Sequence, residues 1–240
     1  MAEEPNWRNL YPIAGIAALL ALTANLLDIA VGMGETELVA SGSRSALDWF
    51  ALYGESPFKG LYPLGILNIV YAACLVPVYF GLFAAHRRTH GLYAALAMAV
   101  YSIGMAIYIS NNAAIPMLVL AEKYAAAETE AQRALFAAAG EAVLASGEDF
   151  TPGAFAGMFL EVIAAVAISL VMLRGGVFAK RTAWIGIIGF TLLSIFTVWA
   201  TFIPALYAVA FYGFGMVGGL FVLAWFVLVA RRFFQLGKAA

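Results

Sequence analysis

Charge is scarce in this chain, and so are the side chains from which most protein chemistry is built. Of 240 residues only 11% are charged, against about 25% in an ordinary soluble domain. The single cysteine, Cys74, lies inside an apolar run. One thiol excludes disulfide scaffolds, CxxC redox pairs and thiolate metal clusters. The two histidines, His86 and His90, stand four apart in "HRRTH". That spacing suits a metal on a helix, but no carboxylate or cysteine is near in sequence, and flanking arginines mark an ordinary basic helix end. Two histidines leave too few ligands for an intramembrane haem or a histidine-bound zinc. A net charge of -1 without any basic stripe excludes nucleic acid as a partner. GxSxG and Walker A patterns are absent as well. No cofactor is implied.

What the chain has instead is hydrophobic sequence, 64% of the total. A transmembrane helix needs about 20 mostly apolar residues. Six runs qualify, at 10–33, 61–85, 91–119, 152–173, 182–204 and 208–230. The last two are joined by so short a turn that five is the competing count. The "MAEEPNWRN" start lacks a basic n-region, and the run after it is too long for a signal peptide, so it is read as retained. Arg8, Arg87, Arg88, Arg174, Lys180, Arg181, Arg231, Arg232 and Lys238 would share one side of the membrane; Arg44, Lys59, Lys123 and Arg133 would share the other. Nine against four places both termini in the cytoplasm. The expectation is a single all-α domain, a six-transmembrane-helix bundle with short amphipathic helices on its outer face.

Those outer helices belong to two segments, 34–60 and 120–150. In "SALDWFALY", Ser45 and Asp48 have capping-box spacing ahead of Trp49, Phe50, Leu52 and Tyr53. A helix with that much aromatic surface is expected in the membrane interface. The second segment is Ala-rich, with Thr129 and Gln132 spaced as another capping box and Glu130 one turn from Arg133. Two short helices are expected there, covering the outer mouth. Thr151-Pro152 then reads as N-cap and first residue of the fourth span. Gly153 with Gly157, and Gly215 with Gly219, are spaced for close helix packing, within the bundle or between copies of the chain.

Polar groups inside the spans are few: Asn25, Asp28, Asn68, Asn111, Asn112 and Glu161, with Thr197 and Thr201. At 1.5 Å per residue, Asn25 and Asp28 lie roughly 5–12 Å, Asn68 and Asn112 about 10 Å, and Glu161 roughly 13 Å below the outer ends of their helices. All therefore share the outer half of the bilayer. A carboxylate at mid-membrane costs about 2.5–3.5 kcal/mol on insertion scales, so each requires water or partners. Tyr101, Met105, Tyr108 and Asn112 form one helix stripe. In a continuing helix Pro116 removes the donor that would bond the Asn112 carbonyl, leaving broken backbone beside two amides. Pro77 and Pro204 act likewise on Ala73 and Ala200.

These residues define an expected outward polar pocket lined by Asp28, Asn68, Asn112 and Glu161, with Asn25, Tyr108, Asn111, Thr197 and Thr201 around it. It suits binding or transport of a small molecule or a lipid headgroup. Three readings compete. The asparagines serve as helix-to-helix ties; Asp28 and Glu161 form the acid–base pair of an intramembrane hydrolase or isomerase; or the chain is a structural or regulatory subunit with its outer helices as docking surface. Met33, Met105, Met117 and Met158 are near enough in sequence depth to raise copper(I), although methionine in a membrane core is ordinarily packing.

The stretches "LDWFALYGESPFKGLYPLGILNIV" (47–70) and "NNAAIPMLVLAEKYAAAETEAQRALFAAAGEAVLAS" (111–146) resemble a family of bacterial multi-pass membrane proteins known only as a domain of unknown function. The resemblance implies helices and a bacterial cytoplasmic membrane. It carries over no activity, cofactor or site residue.

Overall fold

In lipid, a backbone N–H or C=O finds no water, so each apolar run must satisfy its own polar groups, which a helix does. The regular elements of this computed structural model, which describes residues 7–34 and 44–238, are accordingly all helical. After a 3₁₀ turn at Trp7–Asn9 come α1 (Leu10–Gly34), α2 (Ala46–Glu55), α3 (Pro57–Leu61), α4 (Ile66–Asn111), α5 (Ala114–Ala125), α6 (Glu130–Gly147), α7 (Pro152–Gly175) and α8 (Lys180–Phe202). A 3₁₀ turn at Pro204–Leu206, α9 (Tyr207–Ala210) and a π-helical turn at Phe211–Gly215 lead into α10 (Met216–Lys238). Residues 35–43 of the first expected outer segment, and the Met33 side chain, lie outside the described part.

Five stretches are long and apolar enough to cross a membrane, which marks a multi-pass membrane protein. The expected second and third spans are the two helical legs of α4, which meet at a reversal at His90 (φ -137°, ψ 36°). Its legs lie side by side. Tyr79 and Tyr101 stack with ring centroids 4.1 Å apart, and the Tyr101 hydroxyl donates to the Ala72 carbonyl at 2.6 Å. The helices close a ring: α1 packs on α4, α4 on α7, α7 on α8, α8 on α10, and α10 back on α1. Its centre is filled by Tyr101, Leu82, Trp225, Phe226 and Phe233, all fully buried. Gly157 faces the backbone of Tyr108, and Gly153 that of Ser146, so close that a Cβ would collide. This pair therefore joins elements within one chain.

The two ends of the ring differ. At one, α2, α3, α5 and α6 form a cap with its own hydrophobic core of Trp49, Phe50, Tyr53, Leu64, Met117 and Leu144. Both capping boxes form, Ser45 with Asp48 and Thr129 with Gln132, and Glu130 pairs with Arg133 at 2.8 Å. The aromatic face of α2 turns inward: Trp49, Phe50 and Tyr53 are buried in the cap core. Their rings pack with Met117 and Leu144 and supply much of the apolar area of that core.

The other end carries the bases. Arg8 Nε donates to the Gly237 carbonyl at 3.2 Å, and Arg232 Nε to Val177 at 2.7 Å. Trp7 packs edge-on to Phe83, and His86 stacks on Phe178. Gly176, at φ +68°, ends α7 in the left-handed conformation that favours glycine. Both described chain ends, the α4 reversal and the α7–α8 link thus gather opposite the cap.

Candidate functional site at the capped end

Where the expected third span should run on to residue 119, the helix stops. α4 ends at Asn111, Asn112 takes φ -53° and ψ 126°, and α5 starts at Ala114. Pro116 is therefore in the first turn of a new helix, where a missing N–H costs nothing. Asn112 itself makes the break: its Oδ1 accepts the Ala114 N–H at 3.0 Å, and its Nδ2 donates to the Gly65 carbonyl at 3.2 Å. Pro204 likewise sits beyond the end of α8 and interrupts no helix, whereas Pro77 is inside α4 as expected.

Gly65 precedes α4 at φ +90°, a backbone that L side chains rarely adopt. A Cβ there would stand 3.2 Å from Asn68 Nδ2 and 3.3 Å from Asn112 Nδ2. The glycine thus brings the start of α4 against its end, 47 residues later. Asn111 reaches across to α7, donating to the Gly153 carbonyl at 3.4 Å.

The centre of the layer is a residue outside every expected span. Asp149, in the connection between α6 and α7, accepts from Asn68 Nδ2 at 3.0 Å and from the Tyr108 hydroxyl at 2.7 Å. Its neighbour Phe150 has φ +61°, a left-handed backbone rare outside glycine and costly by about 1–2 kcal/mol. Packing of the Phe150 ring on Phe196 (4.9 Å) and Tyr207 (6.0 Å) holds that turn, which aims Asp149 at the layer. Burial pushes the Asp149 carboxyl above its ordinary value, with the Tyr108 hydrogen bond opposing. Glu148 beside it is pushed up to about 7 by burial and then by the charge of Asp149, against the pull of Arg44.

Asp28 on α1 and Glu161 on α7 both lie within reach of the Asp149 charge. Glu161 lines a small cavity together with Tyr71. Among the described residues, no lysine or arginine forms an ion pair with Asp28, Asp149 or Glu161. Asp28 and Asn25 are partly buried and make no hydrogen bond among the described residues. Thr197 and Thr201 are buried on α8, the latter with its hydroxyl unpartnered among the described residues, where neither hydrogen-bonds to the rest of the layer.

Asn68, Tyr108, Asn111 and Asn112 are thus tied into one end of the bundle, with Asp28 and Glu161 within reach of the Asp149 charge. Asp149 and Gly65 are the two members that residue-type reasoning passes over. A glycine directly before the apolar run of α4 is the signal for one; Asp149 carries no such mark. The cavity adjoining the layer, lined by Tyr71, Tyr79, Glu161, Phe190, Trp225 and Phe226 among others, holds about 10 Å³, room for about one water. No group of three or more His, Cys, Asp or Glu could hold a metal ion among the described residues. Met117 packs in the cap core and Met105 in the bundle core, so these thioethers do not converge. A larger groove, of about 340 Å³, lies near the opposite end between the second leg of α4 and α7. No family model, curated protein or solved structure matches the chain.

Proposed function

We propose that the chain is a six-crossing membrane protein, basic end in the cytoplasm, that binds a small positively charged solute at its capped end. Five apolar stretches become six crossings because α4 reverses, and the bases at the reversal and both chain ends fit the positive-inside rule. The likeness of 47–70 and 111–146 to bacterial multi-pass proteins would put it in a bacterial cytoplasmic membrane. The observation that carries the reading is Asp149, held by Asn68 and Tyr108 within electrostatic reach of two further carboxyls. Three acids with no paired base among the described residues are costly in low dielectric, and a cation offsets that cost. The adjoining space is water-sized, so anything larger than a proton or a water enters by displacement of the cap. The break at Asn112 is where α5 and α6 would swing from α4.

The test is a thermal-shift series on purified protein with primary amines, quaternary ammonium compounds, monovalent cations and uncharged isosteres. Cations that bind raise the Tm of the wild type, isosteres do not, and Asp149→Asn weakens the response at least tenfold while remaining folded. A folded wild type indifferent to every cation overturns the reading. So does a response unchanged in both Asp149→Asn and Glu161→Gln. That outcome leaves the amides and carboxyls as ties between helices, a role favoured by the bonding of Asn68 and Asn112.

A further inference from the structure

The groove near the basic end has two walls of one length. On α4 it runs from His90 to Val100, and on α7 from Ile163 to Arg174. Ten and eleven helical rises span about 15–16 Å, half of the roughly 30 Å of hydrocarbon in a bilayer. It is therefore one leaflet deep. Its floor is made of small residues, with Ala97 and Ala164 buried, and its rims of exposed Leu96 and Leu170. Polarity is confined to one end. There Arg174 makes no ion pair or hydrogen bond among the described residues, and His90 Nδ1 is buried with no partner.

We infer that this groove is a binding site for one anionic glycerophospholipid of the leaflet at the basic end. One acyl chain lies along the alanine floor, and the phosphate is held by the Arg174 guanidinium and the His90 ring. An arginine presents a fork of donors that matches a phosphate. Basic pockets between helices on the cytoplasmic side are a recurring place for anionic headgroups. The matching depth of both walls and the placement of cation and imidazole at the mouth, and nowhere along the walls, select a lipid over a peptide helix. A packed helix would leave Arg174 without an anion. The site is separate from the carboxylate layer, and its test does not depend on that layer.

The experiment places the protein in nanodiscs with equal parts of phosphatidylglycerol and phosphatidylcholine of identical chains, and reads retained lipid by native mass spectrometry. One phosphatidylglycerol per chain is expected, in at least fivefold excess over phosphatidylcholine. Arg174→Ala should abolish that preference, and Ala167→Phe, which fills the floor, should remove retained lipid of both kinds. Arg181→Ala, a base that does not line the groove, should change nothing. Equal retention of the two lipids by the wild type overturns the proposal, as does equal loss in Arg174→Ala and Arg181→Ala, which would mean diffuse surface charge. Lipid retained at the wild-type level by a folded Ala167→Phe protein, or a dimer in place of bound lipid, also overturns it. If Ala167→Phe fails to fold, the Arg174 and Arg181 comparison decides alone.

Discussion

The capped end and the basic end of this bundle solve one problem in two ways. Each must satisfy helix termini where the chain leaves the hydrocarbon. At the basic end arginines do so from outside: Arg8 and Arg232 donate to the carbonyls of Gly237 and Val177, where positive charge also complements the helix dipole. The links there are short, with α4 reversing at one residue and four residues joining α7 to α8. At the capped end the partners are short side chains, Asn68, Asn112, Tyr108 and Asp149, under a second hydrophobic core. A long flexible cation tolerates small displacements. A short amide or carboxyl demands fixed backbone, so the capped end is expected to be the more brittle.

Three substitutions break or sharpen that contrast. The largest effect is expected at Gly147, the last residue of α6, where a methyl would land on the Asn111 carbonyl and 2.9 Å from the Ala113 N–H. Backbone cannot yield as a side-chain tip does. Gly147→Ala should cost about 3 kcal/mol or prevent assembly of the cap, read as thermal unfolding. A stability unchanged from wild type would show that the cap does not seat as described. Next comes Tyr53, whose hydroxyl donates to the Ala114 carbonyl at 2.7 Å inside the cap core. Tyr53→Phe should cost about 1 kcal/mol by stranding that acceptor, or roughly 2–4 °C in Tm.

The smallest effect is a pH dependence at Glu148. Its carboxyl, raised from an ordinary 4.5 to about 7, stays protonated in the folded chain after the unfolded chain has lost its proton. Its contribution to stability is therefore full in acid and declines as pH rises through about 7. Glu148→Gln should flatten the fall of Tm across that window by roughly 2 °C or less. Parallel profiles for the two proteins would sink the assignment.

Local chemistry was legible in the sequence where its partners are neighbours. Ser45 with Asp48, and Thr129 with Gln132, formed the expected boxes because three residues of helix fix both partners. Counting rises placed Asn68 and Asn112 about 10 Å inside their helices, whereas they meet at the two ends of α4, which starts at Ile66 and stops at Asn111. Asp149 did not follow: its partners are 81 and 41 residues away, and in sequence it is one more acid in a polar connection. Only tertiary packing, with Phe150 in its left-handed turn, moves it inward. Pro116 misled for the opposite reason. The rule about its missing donor is sound, but the helix ends before the rule applies, because Asn112 caps Ala114 with its own side chain.

The reversal of α4 has a bearing on how copies of this chain coexist. Small domains exchange segments by opening a hinge loop, but here the hinge is His90 alone. Straightened, the 46 residues of α4 would form a rod of about 69 Å, more than twice the roughly 30 Å available in hydrocarbon. The bilayer itself therefore acts as a lock on this hairpin, holding its legs to the same copy once inserted and making swapped dimers inaccessible by this route.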